Sequence, residues 1–309
     1  MKLDVIGMGA LNVDKLYMVN QIAQEDGESS ILKSDEASGG SAANTTVGLA
    51  RLGLKVGYIG KVARDREGRL LLKDFEKAKV DTEGIAVTGC GRSGIVMGFV
   101  DNKGERALYV DTGVNGSIYF SEINLEYANN TSFMHLTSFV GKEAFQVQKR
   151  LVASLSKSVK LSLDPGELYA KKGLIELRTI IKRCFAIFPN EHEVKLLTGE
   201  GYEKGAQTLL GEGIRIVAVK LGPRGCYVTD GKEDNLIPRF SAKVVDTTGA
   251  GDAFCAGFLY GLVKNKNPAQ CGRLGNFVAS KCIQKVGARA GLPYQSDLPN
   301  DLSKLEPSH

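Results

Sequence analysis

The chain reads as an α/β layered protein with a largely parallel sheet, and three features predict it. Short apolar runs alternate with amphipathic stretches over most of the 309 residues. Those runs end in turn-forming Gly, Pro or Asn. Two extended stretches break the alternation and predict a small separate sheet beside the main layer. About 150 residues per domain would allow two domains, but α/β folds of this size often form one, and a single domain over 1–309 is expected.

The elements follow in order. LDVIGMG at 3–9 is a short apolar strand. NTTVGLARL at 44–52 is helical and stops at Gly53. KVGYIGKV at 55–62 is a strand, and DREGRLLLKDFEKA at 65–78 is a helix with Leu71, Phe75 and Ala78 on one face. KEAFQVQKRLVASLSK at 142–157 is a second amphipathic helix. Strands follow at 159–166, 184–190 and 214–222, and AFCAGFLYGLVK at 253–264 is an apolar helix. The irregular stretches are 28–40, extended with no helical face, and 94–110, two strands joined near Asn102-Lys103-Gly104. They predict a lid built from about 12–38 and 94–115. Beyond Leu292 a surface tail with one short helix is expected.

Composition narrows the function classes. Hydrophobic residues make up 43% and charged residues 24%, enough for a large core and unlike a disordered chain. No apolar run reaches the roughly 18 residues of a membrane span. The start, MKLDVIGMGA, contains Asp4 and no cleavage-site pattern, so no signal peptide is expected. Forty basic residues against 35 acidic ones give a net charge of +5, spread without a basic block, so neither nucleic acid nor membrane is an expected partner. Six cysteines form no C-x-x-C pair and several lie in apolar context, which predicts reduced thiols in the cytoplasm.

The chemistry-bearing segments are rich in small residues. Neither a G-x-x-x-x-G-K-[ST] loop nor a complete G-x-G-x-x-G is present, since Asn12 stands where the third glycine would be. Asp246-Thr247-Thr248-Gly249-Ala250-Gly251-Asp252 leads into the apolar helix. Gly249, Ala250 and Gly251 ahead of a helix expose backbone N–H groups, which with the helix dipole make an anion hole. Asp252 beside such a hole fits a general base that takes a hydroxyl proton while the hole holds a transferring phosphoryl group. A plain helix cap would also place an Asp there. Ser38-Gly39-Gly40-Ser41-Ala42-Ala43-Asn44 opens another helix and lets a ligand approach the backbone, with Asn44 able to bond hydroxyls; a flexible loop reads the same way. Asp14 could accept from polyol hydroxyls, or simply belong to a turn.

Together, GGSAANTTVGLARLG with Gly60 and Gly68 downstream, and DTTGAGD, resemble the two signatures of the ribokinase-like (PfkB) carbohydrate kinases, in order and spacing across essentially the whole chain. The resemblance implies a doubly wound αβα sandwich with a small β lid, and ATP-dependent phosphorylation of a hydroxymethyl group. It implies Asp252 as base, with Gly249, Ala250 and Gly251 as the anion hole. Asp14, Gly39, Gly40 and Asn44 would hold the acceptor. Asn190, Lys220, Gly222, Gly225 and Asn276 would hold the nucleotide. Asn190 and Glu193 resemble the N-x-x-E motif and would order Mg²⁺ through water, although Asn with Glu three residues on is also a capping box. Asp246, Thr248, Cys282, Lys285, Gly287 and Gly291 would line a site for K⁺ or another monovalent cation. Ribokinases often carry Glu or Gln after the strand Phe133–Leu136; this chain continues Thr137-Ser138-Phe139.

A small free sugar, pentose or hexose such as ribose or fructose, is the expected acceptor. A nucleoside would need a platform, for which Met97, Phe99, Tyr109 and Phe139 are candidates. A phosphosugar would need cations near the lid, for which Lys33, Arg92, Lys103 and Arg106 are candidates. A non-catalytic binder on the same fold would have no use for Asp252. Two uncovered lids are expected to pair in a homodimer.

Overall fold

The apolar runs become strands in a computed structural model that describes residues 2–103 and 105–299. In chain order the elements begin β1 (Leu3–Met8), β2 (Asn12–Val19), β3 (Ile31–Gly39), α1 (Ser41–Arg51), β4 (Val56–Ala63), α2 (Arg66–Lys77), β5 (Ile85–Thr88), β6 (Gly94–Val100) and β7 (Arg106–Asp111). They continue α3 (Leu125–Asn129), β8 (Thr131–Thr137), α4 (Lys142–Ser154), β9 (Lys160–Asp164), α5 (Gly166–Ala170), α6 (Gly173–Ile181), β10 (Cys184–Ile187), α7 (Glu191–Thr198) and α8 (Tyr202–Gly211). Last come β11 (Ile216–Lys220), β12 (Cys226–Thr229), β13 (Asp234–Ile237), α9 (Ala250–Val263) and α10 (Pro268–Cys282).

Nine strands form one sheet in the order β13-β12-β11-β10-β9-β8-β1-β4-β5. Every neighbouring pair from β11 to β5 is parallel, and β12 and β13 close one edge antiparallel. Successive strand residues point to opposite faces. Val5 therefore enters a core with Phe75, Phe254 and Phe258, while Ile6 enters the opposite core with Phe145, Leu177 and Leu209. Helices on both faces explain why the strands read as continuous apolar runs; all eight residues of β4 are buried. Among the described residues no helix is long and apolar enough to cross a membrane. Five cysteines are buried, and Cys90 is exposed in the turn between β5 and β6.

The two irregular stretches meet in a four-stranded sheet, β3-β2-β6-β7. Register fixes its faces: Asp14 pairs with Val96, and Met97 pairs with Tyr109. Asp14 thus shares a face with Leu16, Val96, Leu108 and Val110, whereas Met97, Phe99 and Tyr109 lie on the other. Phe139 is buried in the main core. The platform expected of these four residues is therefore not assembled beside Asp14.

Other boundaries moved. The helix expected over 142–157 ends at Ser154, because Leu155 turns extended. The helix expected from 253 begins at Ala250, so Gly251 and Asp252 belong to its first turn. Gly104, in the expected β6–β7 turn, and the tail beyond 299 lie outside the described residues; the short helix of that tail is a 3₁₀ turn at Gln295–Asp297.

Helices α9 and α10 touch backbone to backbone. A Cβ on Gly257 would lie 2.4 Å from the Leu274 carbonyl oxygen and 2.9 Å from Gly275 Cα. Gly257→Ala gains up to about 1 kcal/mol of helix propensity but overpacks rigid backbone at about 1–3 kcal/mol. A net drop in the urea midpoint is expected. An unchanged or raised midpoint would show that the helices separate without cost.

Candidate active site

Two glycine turns bring the functional side chains together. Gly40 caps α1 with φ 101°, a left-handed conformation that favours glycine. A Cβ on Gly39 would lie 2.2 Å from an oxygen of the Asp14 carboxylate, so that carboxylate lies directly over the turn from β3 into α1. At the other turn, Gly249 caps α9 with φ 76°. The Ala250 N–H donates to the Thr247 carbonyl at 3.1 Å, so this residue is removed from the expected trio of anion-hole donors. Among the described residues no acceptor lies on the N–H groups of Gly249, Gly251 or Asp252, so these are open donors at the positive end of α9.

Asp252 is no helix cap: α9 has no side-chain cap bond. Instead Asn44 Nδ2 donates to Asp252 Oδ2 at 2.8 Å, and Thr45 Oγ1 donates to the Asp252 carbonyl at 3.1 Å. Asn44 was expected on acceptor hydroxyls; its carboxamide is engaged at both ends, since Arg289 Nε donates to Asn44 Oδ1 at 2.8 Å. Lys220 ends β11, and its Nζ donates to Asp164 Oδ2 at 2.6 Å. A Cβ on Gly251 would lie 3.4 Å from that Nζ, which puts the ammonium at the floor of the anion hole.

The remaining predicted residues each have local partners. Asn190 and Glu193 form the capping box: Asn190 Oδ1 accepts from Glu193 N and Glu193 Oε2 accepts from Asn190 N, each at 2.8 Å. Asn190 Nδ2 also donates to Glu193 Oε1 at 2.8 Å. Gly222 and Gly225, with φ 58° and 92°, bound the tight turn between antiparallel β11 and β12, which is thus a hairpin. Asn276 spends its amide donors on the carbonyls of Ile237 and Pro238, both at 3.0 Å. Asp246 accepts from the N–H groups of Thr248 and Gly287, and Cys282 Sγ lies 3.4 Å from the Ala288 carbonyl. A Cβ on Gly291 would meet the Cys282 carbonyl, so these segments form one loop cluster, with Lys285 exposed beside it.

Burial governs the electrostatics. It pushes Asp252 up to about 7, with Asp164 adding to the rise and Asn44, Lys220 and Arg289 opposing it. It pushes Asp14 up to about 6 against the pull of Arg289. Glu193 is raised by burial, partly offset by Lys220. Burial works against the charge of Lys220, but Asp164, Cys255 and Glu193 outweigh it and hold the ammonium above its ordinary range. His135, bonded to Ser162 in the core, is pushed down to about 4 and stays neutral. A base that titrates near neutrality, a positive helix end and a fixed ammonium suit proton removal from a hydroxyl coupled to phosphoryl transfer.

Sequence reasoning missed Asp164 and Arg289. Asp164 ends β9 just before Pro165-Gly166, and an acid at a strand's carboxyl end was the signal available. Arg289 sits in an Ala-Arg-Ala stretch with no periodicity to mark it.

A doubly wound sheet with a small sheet over its carboxyl edge, and a carboxylate beside a helix N-terminus, fit a phosphotransferase with an alcohol acceptor. The chain belongs to the pfkB family of carbohydrate kinases, whose model matches residues 8–295, and is an ATP-dependent carbohydrate kinase. An uncharacterised sugar kinase of Archaeoglobus fulgidus is 48% identical over 254 residues, 81% of this chain and 100% of that protein. An ATP-dependent ribose-1-phosphate kinase of Halopiger xanaduensis is 31% identical over 93% of this chain and 94% of its own length. The structure of Arabidopsis thaliana ribokinase complexed with ribose and ATP superposes with a TM-score of 0.86 at 23% identity, covering 99% of each chain.

The raised Asp252 has a thermodynamic consequence. Between its unfolded value near 3.8 and its folded value near 7 the folded state binds more protons than the unfolded one, so stability falls as pH rises through that window. Asp252→Asn removes the titration. The variant is expected to melt higher than the native chain at pH 8 and to lose that advantage by pH 4. Parallel melting curves at both pH values would show that Asp252 is ionised in the fold at no cost.

Proposed function

We propose that the kinase transfers the γ-phosphoryl group of ATP to the hydroxymethyl group of a small free sugar, a pentose or hexose such as ribose or fructose. The observation that carries this is the pair of half-buried carboxylates, Asp14 and Asp252, set at the two glycine turns with Asn44 and Arg289 between them. Asp14 accepts from two neighbouring hydroxyls of the acceptor over the Gly39-Gly40 turn. Asp252 takes the proton of the hydroxymethyl oxygen as that oxygen bonds to the γ-phosphorus. The bond from that phosphorus to the bridging oxygen breaks, and ADP keeps the electron pair. The N–H groups of Gly249, Gly251 and Asp252, with Lys220, hold the transferring oxygens. Asn190, Gly222, Gly225 and Asn276 line the nucleotide side.

Mg²⁺, bound with the nucleotide, offsets phosphate charge. The residues fit it: Asp164 Oδ1 is buried without a hydrogen-bond partner, Glu193 keeps lone pairs beside Lys220, and both can accept from metal-bound water. The loop cluster of Asp246, Thr248, Cys282, Lys285, Gly287 and Gly291 holds a monovalent cation through its carbonyls. The small sheet acts as a lid that excludes water. Its exposed Met18, Ile31, Leu32, Leu108 and Tyr109 support a homodimer formed through it. Buried thiols without C-x-x-C pairs support a cytoplasmic location.

One other reading has its own support. Lys33 and Arg106 share the Asp14 face of the small sheet, and the Halopiger relative is named for ribose-1-phosphate. Phosphate transfer from ATP to ribose, fructose, ribose 1-phosphate and nucleosides decides. A free sugar, ribose or fructose, is expected to give the highest kcat/KM; a larger value for ribose 1-phosphate or a nucleoside replaces the acceptor and leaves the chemistry intact.

Asp252→Asn is expected to lower kcat at least about 100-fold with little change in ATP affinity. Asp14→Ala should raise the acceptor KM far more than the ATP KM. If it is the ATP KM that moves, the two subsites are exchanged. At equal ionic strength K⁺ should support a higher rate than tetramethylammonium, and equal rates would remove the cation site.

A further inference from the structure

Arg289 is a nearly buried cation that no step above uses. Its guanidinium fork reaches three groups: Nε donates to Asn44 Oδ1 at 2.8 Å, Nη2 to the Gly39 carbonyl at 3.2 Å, and Nη1 to the Asp74 carboxylate. Asp74 lies on α2, Gly39 ends β3 and Asn44 lies in α1. One side chain thus braces the turn from β3 into α1 against α2, and reaches Asp252 through Asn44.

The chemistry of these partners fixes a direction. A carboxamide can turn end over end, exchanging its oxygen and its NH₂. Arginine carries donors only, so the Asn44 oxygen must face Arg289. The Asn44 NH₂ is then forced toward Asp252 Oδ2, 2.8 Å away. One carboxylate oxygen is engaged, and Oδ1 is left to take a proton. Asp74 orients the guanidinium from the other side, and the Gly39 bond holds the backbone over which the Asp14 carboxylate lies.

We propose that Arg289 is a positioning residue for phosphoryl transfer: through Asn44 it determines which oxygen of Asp252 meets the acceptor hydroxyl, and through Gly39 it fixes the turn beneath Asp14. The proposal rests on Asp252 being the base. Asn44 from α1 bonds to Asp252, and the titratable and charged groups whose fields couple to it are Tyr58 from β4, Asp164 from β9, Lys220 from β11, Cys255 from its own helix, Cys282 from α10 and Arg289. Asp164 and Lys220 neutralise one another. Loss of the donor from Asn44 disfavours the ionised carboxylate, so the acid limb of kcat/KM moves to higher pH.

The test compares Arg289→Lys, Asn44→Ala, their double variant and Asp252→Asn, each by pH profile, separate KM values for ATP and ribose, and melting temperature. Each of the first two is expected to lower kcat/KM about 10-fold and to raise the acid limb by about one pH unit, as for a lost hydrogen bond to a charged group. Because Arg289 acts through Asn44, the double variant should be about as active as the worse single one. Multiplying losses, or a lowered melting temperature with the acid limb in place, would reduce Arg289 to a structural brace and overturn the proposal. If Arg289→Lys does not fold, Asp74→Asn carries the same expectation, a kcat/KM loss with the ATP KM unchanged, and normal kinetics in it overturn the proposal equally. High turnover in Asp252→Asn defeats the base itself, a failure that is read separately from the Arg289 data.

Discussion

The proposed chemistry depends on one carboxylate drawn largely out of water and still able to ionise near neutrality. An unpaired buried carboxylate costs several kcal/mol in its charged form, and burial carries Asp252 up to about 7. The rise stops there because the surroundings donate to it: Asn44 at 2.8 Å, with the fields of Lys220 and Arg289 behind. The fold serves this balance. α9 must be capped at Gly249 for its open N–H groups to flank the carboxylate, and α1 must be capped at Gly40 for Asn44 to reach across. The large sheet holds both helix starts at the carboxyl edge of its strands.

The Lys220–Asp164 pair belongs to the same balance. A buried ion pair is weak evidence of stabilisation, since desolvation offsets much of its attraction. Its position says more than its energy. The ammonium lies against the first turn of α9 and contributes positive charge where the proposed reaction would gather phosphoryl oxygens, while Asp164 keeps it protonated and in place. An unpaired lysine at the same depth would tend to shed its proton.

How much was legible in the sequence follows from range. DTTGAGD and GGSAAN could be read because each is a continuous turn entering a helix, and the small residues are forced by local geometry. Alternation of apolar runs gave the layers for the same reason. Asp164 and Arg289 were not legible, because their importance lies in partners 56 and 245 residues away, Lys220 and Asn44. The aromatic platform failed for a subtler reason. Which face Phe99 takes relative to Asp14 depends on the pairing of β6 with β2, and a shift of one residue would reverse it. The spent N–H of Ala250 was equally invisible, since it follows from a turn bond to Thr247.

Cys90 ends up in a useful place. Five of the six thiols are closed to solvent, and burial also holds Cys184, Cys226, Cys271 and Cys282 above the ordinary thiol range, so they resist alkylation in the native state. The remaining one lies in the turn between β5, at the edge of the large sheet, and β6, inside the small one. A maleimide dye added to the unmodified chain attaches there in one-to-one stoichiometry, with no cysteine removed beforehand. Such a label sits on the segment of chain that joins the two sheets, where any movement of one against the other would change its surroundings.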